Sequence, residues 1–220
     1  SALRASEGQN SAEEKLRAKF AEKKDPHKKM SEKEAMEKYM PILDKILSKP
    51  GQTTLEASEV LPFLFIGGKP AANDCLDGKN TQYFTHMLNC AEPWCPMGNG
   101  PDADGIKYAG FRAIDHASYD MLGNHYPDDC RDIIDEAKRA FMEASQAKKE
   151  ERRRRGRILV NCAMGVNRSG VIVAAYLIDR EEMKLVQAVE LLKEARGCVL
   201  TNKGFREGLI KFALKKGRLD

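Results

Sequence analysis

Cys162 and Arg168, with five residues between them, are the pair in this sequence whose types and spacing suit one piece of chemistry. They stand in Arg157-Ile158-Leu159-Val160-Asn161-Cys162-Ala163-Met164-Gly165-Val166-Asn167-Arg168-Ser169-Gly170, and a second apolar run, Val171 to Ile178, follows. The short apolar run before Asn161 marks a strand buried on both faces, and the longer one after Gly170 is about two helical turns. A strand that passes through a glycine-bearing loop into a helix N-terminus makes an anion site. Backbone N–H groups converge there and the helix dipole adds partial positive charge. A cysteine at the mouth of such a loop has its pKa drawn from about 8.5 toward roughly 3.5–7.5, which makes it a thiolate at neutral pH. A buried cysteine ending a core strand is otherwise a small hydrophobe. Here strand, glycines, arginine and helix stand in the order an anion site needs, and that context favours it.

The elements that must position this loop are legible as alternating strands and helices, which implies an α/β fold with both sheet faces covered. Residues 1 to about 50 are mostly charged or small. They carry helical signals from Ser11 to Lys24 and from Ser31 to Leu47, the second opened by the capping box Ser31-Glu32-Lys33-Glu34. Its stripe of Met36, Tyr39, Met40, Leu43 and Ile46 or Leu47 should dock on the following domain, with a kink or a fresh helix start at Pro41. Glu59 to Ile66 reads as one strand closed by Gly67-Gly68, Ala71 to Asn80 as a short helix, and Phe84 to Cys90 and Ile106 to Ile114 as further strands, with a loop between Pro93 and Gly105. A long helix begins at Pro127 with Ile134, Ala137, Phe141 and Ala144 on its apolar face, and runs into the basic stretch Lys148 to Arg155. Helices to Arg180, from Lys184 to Arg196 and from Phe205 to Lys215 complete the chain.

At 220 residues the chain suits one domain with an extension: 1–50 a charged helical segment, mobile in part, and 51–220 the body. No apolar run is long enough to span a membrane. The net charge of +4 suits anionic ligands without by itself indicating nucleic acid. Six cysteines with no secretory signal read as free thiols of a reducing compartment. Cys90 and Cys95 have no matching Cys/His pair, so neither metal nor cofactor is expected. The basic stretch reads as a solvated helix end, with nuclear targeting or nucleic-acid contact as the alternative. That places the chain in the cytoplasm, with the nucleus as second choice.

Asn161 to Ser169 fits the pattern His-Cys, five residues, Arg, then Ser or Thr, apart from the first position. Leu64-Phe65-Ile66-Gly67-Gly68, Ala71 to Asp74, Thr85 to Ala91, Ala113-Ile114-Asp115 and Asn202-Lys203-Gly204-Phe205 supply further segments in order. Over roughly residues 52 to 216 the chain resembles the small atypical dual-specificity protein phosphatases. That resemblance implies a central mixed, largely parallel sheet of about five strands flanked by helices. It also implies hydrolysis of phosphotyrosine and phosphoserine/phosphothreonine in a phosphoprotein substrate. Cys162 would be the nucleophile and Arg168 the phosphate clamp, with the amides of Ala163, Met164, Gly165, Val166, Asn167 and Arg168 around the phosphoryl oxygens. Asp115 would be general acid and base, with Asp120 as its substitute, and Ser169 would ease departure of the sulfur. His116 and His125 near this loop are read as surface residues.

Asn161 departs from the family, whose histidine bonds the loop backbone. An amide can keep part of that geometry but carries no charge, so a higher thiolate pKa than in relatives is expected. The same substitution keeps a phosphopeptide-binding pseudophosphatase open. Gly165 to Gly170 also looks like the loop of RNA 5′-triphosphatases, although those enzymes generally lack the acid-loop aspartate and few aromatics here are placed for stacking. The N-terminal helices could cover the site or pair two copies into a homodimer.

Overall fold

The computed structural model describes residues 30–52, 54–93, 105–145 and 156–220. The chain divides into two units, Ser1–Ser31 and Glu32–Asp220, and every element below belongs to the second. The expected helix from Ser11 to Lys24, most of the loop between Pro93 and Gly105 and the basic stretch Lys148 to Arg155 lie outside the described residues.

Five strands form one sheet in the order β1 (Ser58–Leu61), β2 (Leu64–Gly67), β5 (Ile158–Asn161), β3 (His86–Asn89), β4 (Lys107–Gly110). Only β1 is antiparallel to its neighbour; the other three pairings are parallel. β2, β3 and β5 are buried at every position, as expected of strands covered on both faces. β5, the most interior strand, ends at Asn161 between Gly67 of β2 and Asn89 of β3. The Cys162 loop thus opens at the carboxyl ends of three adjacent parallel strands, where ligands of such sheets bind.

The single strand expected from Glu59 to Ile66 is a hairpin. Pro62 cannot donate to a ladder, so the chain turns at Pro62-Phe63 and β1 folds back on β2, pairing Ser58 with Ile66 and Leu61 with Leu64.

The helices are α1 (Glu32–Leu47), α2 (Lys69–Leu76), α3 (Met121–His125), α4 (Arg131–Ser145), α5 (Arg168–Asp179), α6 (Leu185–Arg196) and α7 (Lys203–Lys216). α1 packs on α7 and α6. Its buried stripe is Ala35, Tyr39, Leu43 and Ile46, a register that leaves Met36 and Met40 only partly covered. The helix runs unbroken through Pro41, which faces solvent, where the lost amide bond costs least; the expected restart at that residue does not occur. The helical segment expected to begin at Pro127 begins earlier. Asp120 caps α3 by accepting from Gly123 N, and a π-helical turn, Tyr126–Cys130, joins α3 to α4. α5 is buried along nearly its whole length, which is why its sequence is apolar all round.

Candidate active site

Cys162 follows the last residue of β5 and is 1% exposed. Its Sγ accepts from the Ser169 hydroxyl at 3.3 Å and from the Gly165 backbone N–H at 3.3 Å. Burial pushes the thiol pKa up. The hydrogen bonds from Ser169 and the Val166 backbone and the charge of Arg168 outweigh it, and the pKa falls below the ordinary value. The loop can curl its amides inward because Gly165 holds φ at +67° and a Cβ there would stand 2.5 Å from the Gly67 carbonyl carbon.

Arg168 opens α5 and is 9% exposed, far below the norm for its type. Nη1 donates to the Ala113 carbonyl at 3.4 Å, and the buried Nε has no protein acceptor among the described residues. A buried guanidinium with donor capacity in hand is equipped to hold an anion beside the sulfur.

Asp115 is exposed and 52 residues away in sequence, yet it meets this loop. Its Oδ2 accepts from Asn167 Nδ2 at 3.1 Å and its Oδ1 from Asn202 Nδ2 at 2.8 Å. Asn202 is the N-cap of α7, its own Oδ1 accepting from Gly204 N and Phe205 N. Asn167 Oδ1 in turn accepts from Thr201 Oγ1 and Asn202 N, both at 3.0 Å. Two loops and a helix terminus are therefore tied together around one carboxylate. Asp120, the substitute, is spent on the α3 cap.

Cys162, Ser169, Arg168, Asp115 and the 163–168 backbone are thus brought together. The structure departs from expectation at Asn161. Its Nδ2 reaches Asn89 Oδ1 at 3.4 Å, away from the loop backbone, and its buried Oδ1 has no partner among the described residues. Asn89 also accepts from Ala91 N and donates to Tyr108, whose hydroxyl donates to Glu92. The amide is thereby anchored to β3, and loop support comes from elsewhere.

That support is Arg196, at the end of α6 and 2% exposed, which no sequence pattern distinguished from an ordinary helix-end cation. Its Nε donates to Gly165 O and its Nη2 to Met164 O, both at 3.1 Å. Nη1 donates to Glu56 O at 2.9 Å and Ser58 Oγ at 3.2 Å. Arg196 thereby holds the Met164 and Gly165 carbonyls, while the Gly165 N–H faces the sulfur. His116 is exposed as expected, but His125 is a correction: its side chain is only 13% exposed and packs under the loop that carries Asp115. Its value was hidden because its partners, Phe111 and Tyr119, are six or more residues away in sequence.

Comparison with known proteins adds an independent line. The family model described as the dual specificity phosphatase catalytic domain matches residues 64–215. Dual specificity protein phosphatase 26 of Bos taurus is 31% identical over 169 residues, 76% of this chain and 72% of that protein. Its Homo sapiens counterpart is 30% identical over the same span. Among solved structures, human DUSP28 is similar with a TM-score of 0.53 at 25% identity, covering 74% of this chain and 96% of that one. DUSP15, at 23% identity and a TM-score of 0.58 over 76% of this chain and 93% of its own, shares the fold. With the family model running from β2 through the Cys162 loop into α7 in one continuous match, the chain belongs to the dual-specificity phosphatase family.

Proposed function

We propose that this chain hydrolyses phosphotyrosine and phosphoserine/phosphothreonine in proteins through a cysteinyl-phosphate intermediate. The observation that carries the reading is the convergence of three groups on one loop. They are the hydrogen-bonded Cys162 sulfur, the buried Arg168 with an unspent Nε, and the Asp115 carboxylate held by Asn167.

The Cys162 thiolate attacks phosphorus in line while the bond to the substrate oxygen breaks, and Asp115 gives its proton to that departing oxygen. Arg168 grips two non-bridging oxygens, and the amides of Ala163 to Arg168 hold the equatorial charge that grows in the transition state. Asp115, now a carboxylate, takes a proton from water as the water oxygen attacks phosphorus. The sulfur leaves as a thiolate, stabilised by the Ser169 O–H, and inorganic phosphate is the product. Residues 51–220 act as the catalytic domain and 1–50 as its extension. A reducing compartment, cytoplasm or nucleus, suits a catalytic thiolate.

The place of Asp115 favours this over an RNA 5′-triphosphatase. One observation favours a weak catalyst or a phosphopeptide-binding module: no charged group replaces the family's histidine at Asn161. Aryl-phosphate hydrolysis decides. Cys162→Ser should fall to background, and Asp115→Asn should lose about 100-fold or more with a poor leaving group. Equal rates from the parent and Cys162→Ser would leave the binding module standing.

A further inference from the structure

The segment between Phe111 and Asp120 carries Asp115, and one imidazole grips it on both sides of that residue. The His125 ring stacks on Phe111 at 4.1 Å and 20°, and on Tyr119 at 5.9 Å and 25°. Its Nε2 lies 2.6 Å from the Tyr119 hydroxyl and its Nδ1 lies 2.8 Å from Asp129 Oδ2. The Tyr119 hydroxyl donates onward to the Arg112 carbonyl at 3.3 Å. Phe111 and Arg112 precede Asp115 and Tyr119 follows it, so the two ends of the loop are closed on each other through His125.

A hydrogen-bonded chain runs from the Arg112 carbonyl through Tyr119 and His125 to Asp129. The phenol thus stands between the ring Nε2 and the Arg112 carbonyl, within hydrogen-bond reach of both. Nδ1 faces the Asp129 carboxylate, which only accepts, so the Nδ1–H donates there. Filling space would need only an apolar ring at this position; joining a phenol to a carboxylate needs both nitrogens.

We infer that His125 is a positioning residue for Asp115, acting through Tyr119 and the Arg112 carbonyl to hold the acid loop over Cys162. This rests on the reading of Asp115 as the proton donor. A proton donor must stand within hydrogen-bond reach of the leaving oxygen, and a displacement of about 1 Å costs up to about 100-fold.

The test compares kcat/KM for phenyl phosphate, whose leaving oxygen needs a proton, with that for 2,4-dinitrophenyl phosphate, whose leaving group does not. The variants are His125→Phe, which keeps the stack, and Tyr119→Phe, which keeps the ring and removes the bridge. Each should lose about tenfold on phenyl phosphate and less than about twofold on the dinitrophenyl ester. Neither should cost anything further in an Asp115→Asn background. Equal losses on both substrates would mean a merely structural role, and that or no loss on either overturns the inference. If His125→Phe does not fold, Tyr119→Phe decides alone. An Asp115→Asn enzyme as fast as the parent on phenyl phosphate overturns the proton-donor reading and this one with it. A slow Asp115→Asn beside unimpaired His125→Phe and Tyr119→Phe overturns this one only.

Discussion

A thiol that is 1% exposed would ordinarily be harder to ionise than a free one, and in this chain Cys90 and Cys130 follow that rule, both pushed up by burial. Cys162 goes the other way because its sulfur receives hydrogen bonds and lies near Arg168. With a folded pKa below the ordinary 9.0, ionisation adds stability that is fully present above that value and is lost as the pH falls through the lowered one. The rising limb of kcat/KM should sit in the same window. Asn161 contributes no charge to this balance, and its amide is turned toward Asn89. Asn161→His should therefore shift the pH profile of iodoacetate alkylation at Cys162 to lower pH; coincident profiles would show the position to be irrelevant to the thiolate.

Between elements, the phosphate loop is held from outside by the end of α6. Arg196 spends four hydrogen bonds on Met164, Gly165, Glu56 and Ser58, and so links the loop to the start of β1. Arg196→Met should cost roughly 3 kcal/mol in chemical denaturation, because the buried Gly165 carbonyl and the part-buried Met164 and Glu56 carbonyls lose their donor, and should raise the pH at which Cys162 alkylates. A variant as stable as the parent with an unmoved profile would show that the loop holds its own shape. The loop itself was readable from sequence, since strand, glycines and helix N-terminus are local and contiguous. Arg196 was not, because its acceptors lie 31 and more residues away, and a cation closing a helix looks the same whether it faces water or a carbonyl cluster. His125 escaped for the same reason, its ring contacts being set by how the Phe111–Asp120 segment folds back on α3. The β1–β2 hairpin could have been anticipated from Pro62, and the apolar composition on either side masked it.

At the scale of the whole unit, the sheet and its loop depend on helices that come from both ends of the chain. α1 closes the face made by α6 and α7, and Lys193 of α6 donates to the carbonyls of Leu47 and Lys49 where α1 ends. Tyr39 donates to the terminal Asp220, and Arg206 of α7 pairs with Asp44 at 3.2 Å. α1 buries its apolar stripe within its own unit while the catalytic groups lie at the carboxyl ends of the strands, so its loss should act on stability and leave the chemistry intact. Leu43, fully buried, gives the cleanest test. Leu43→Ala should lower stability by about 2–5 kcal/mol with kcat/KM per folded molecule unchanged. A selective loss of kcat/KM in a fully folded variant would instead couple α1 to the site.

Covalent catalysis at this site requires that the Cys162 sulfur take the phosphoryl group. Mixing the protein with an excess of a tyrosine-phosphorylated peptide, quenching in acid within the first turnover and mapping the product by mass spectrometry should find one phosphoryl group on Cys162, and none in Cys162→Ser. Turnover with no adduct at Cys162, or with the adduct on another residue, would contradict it.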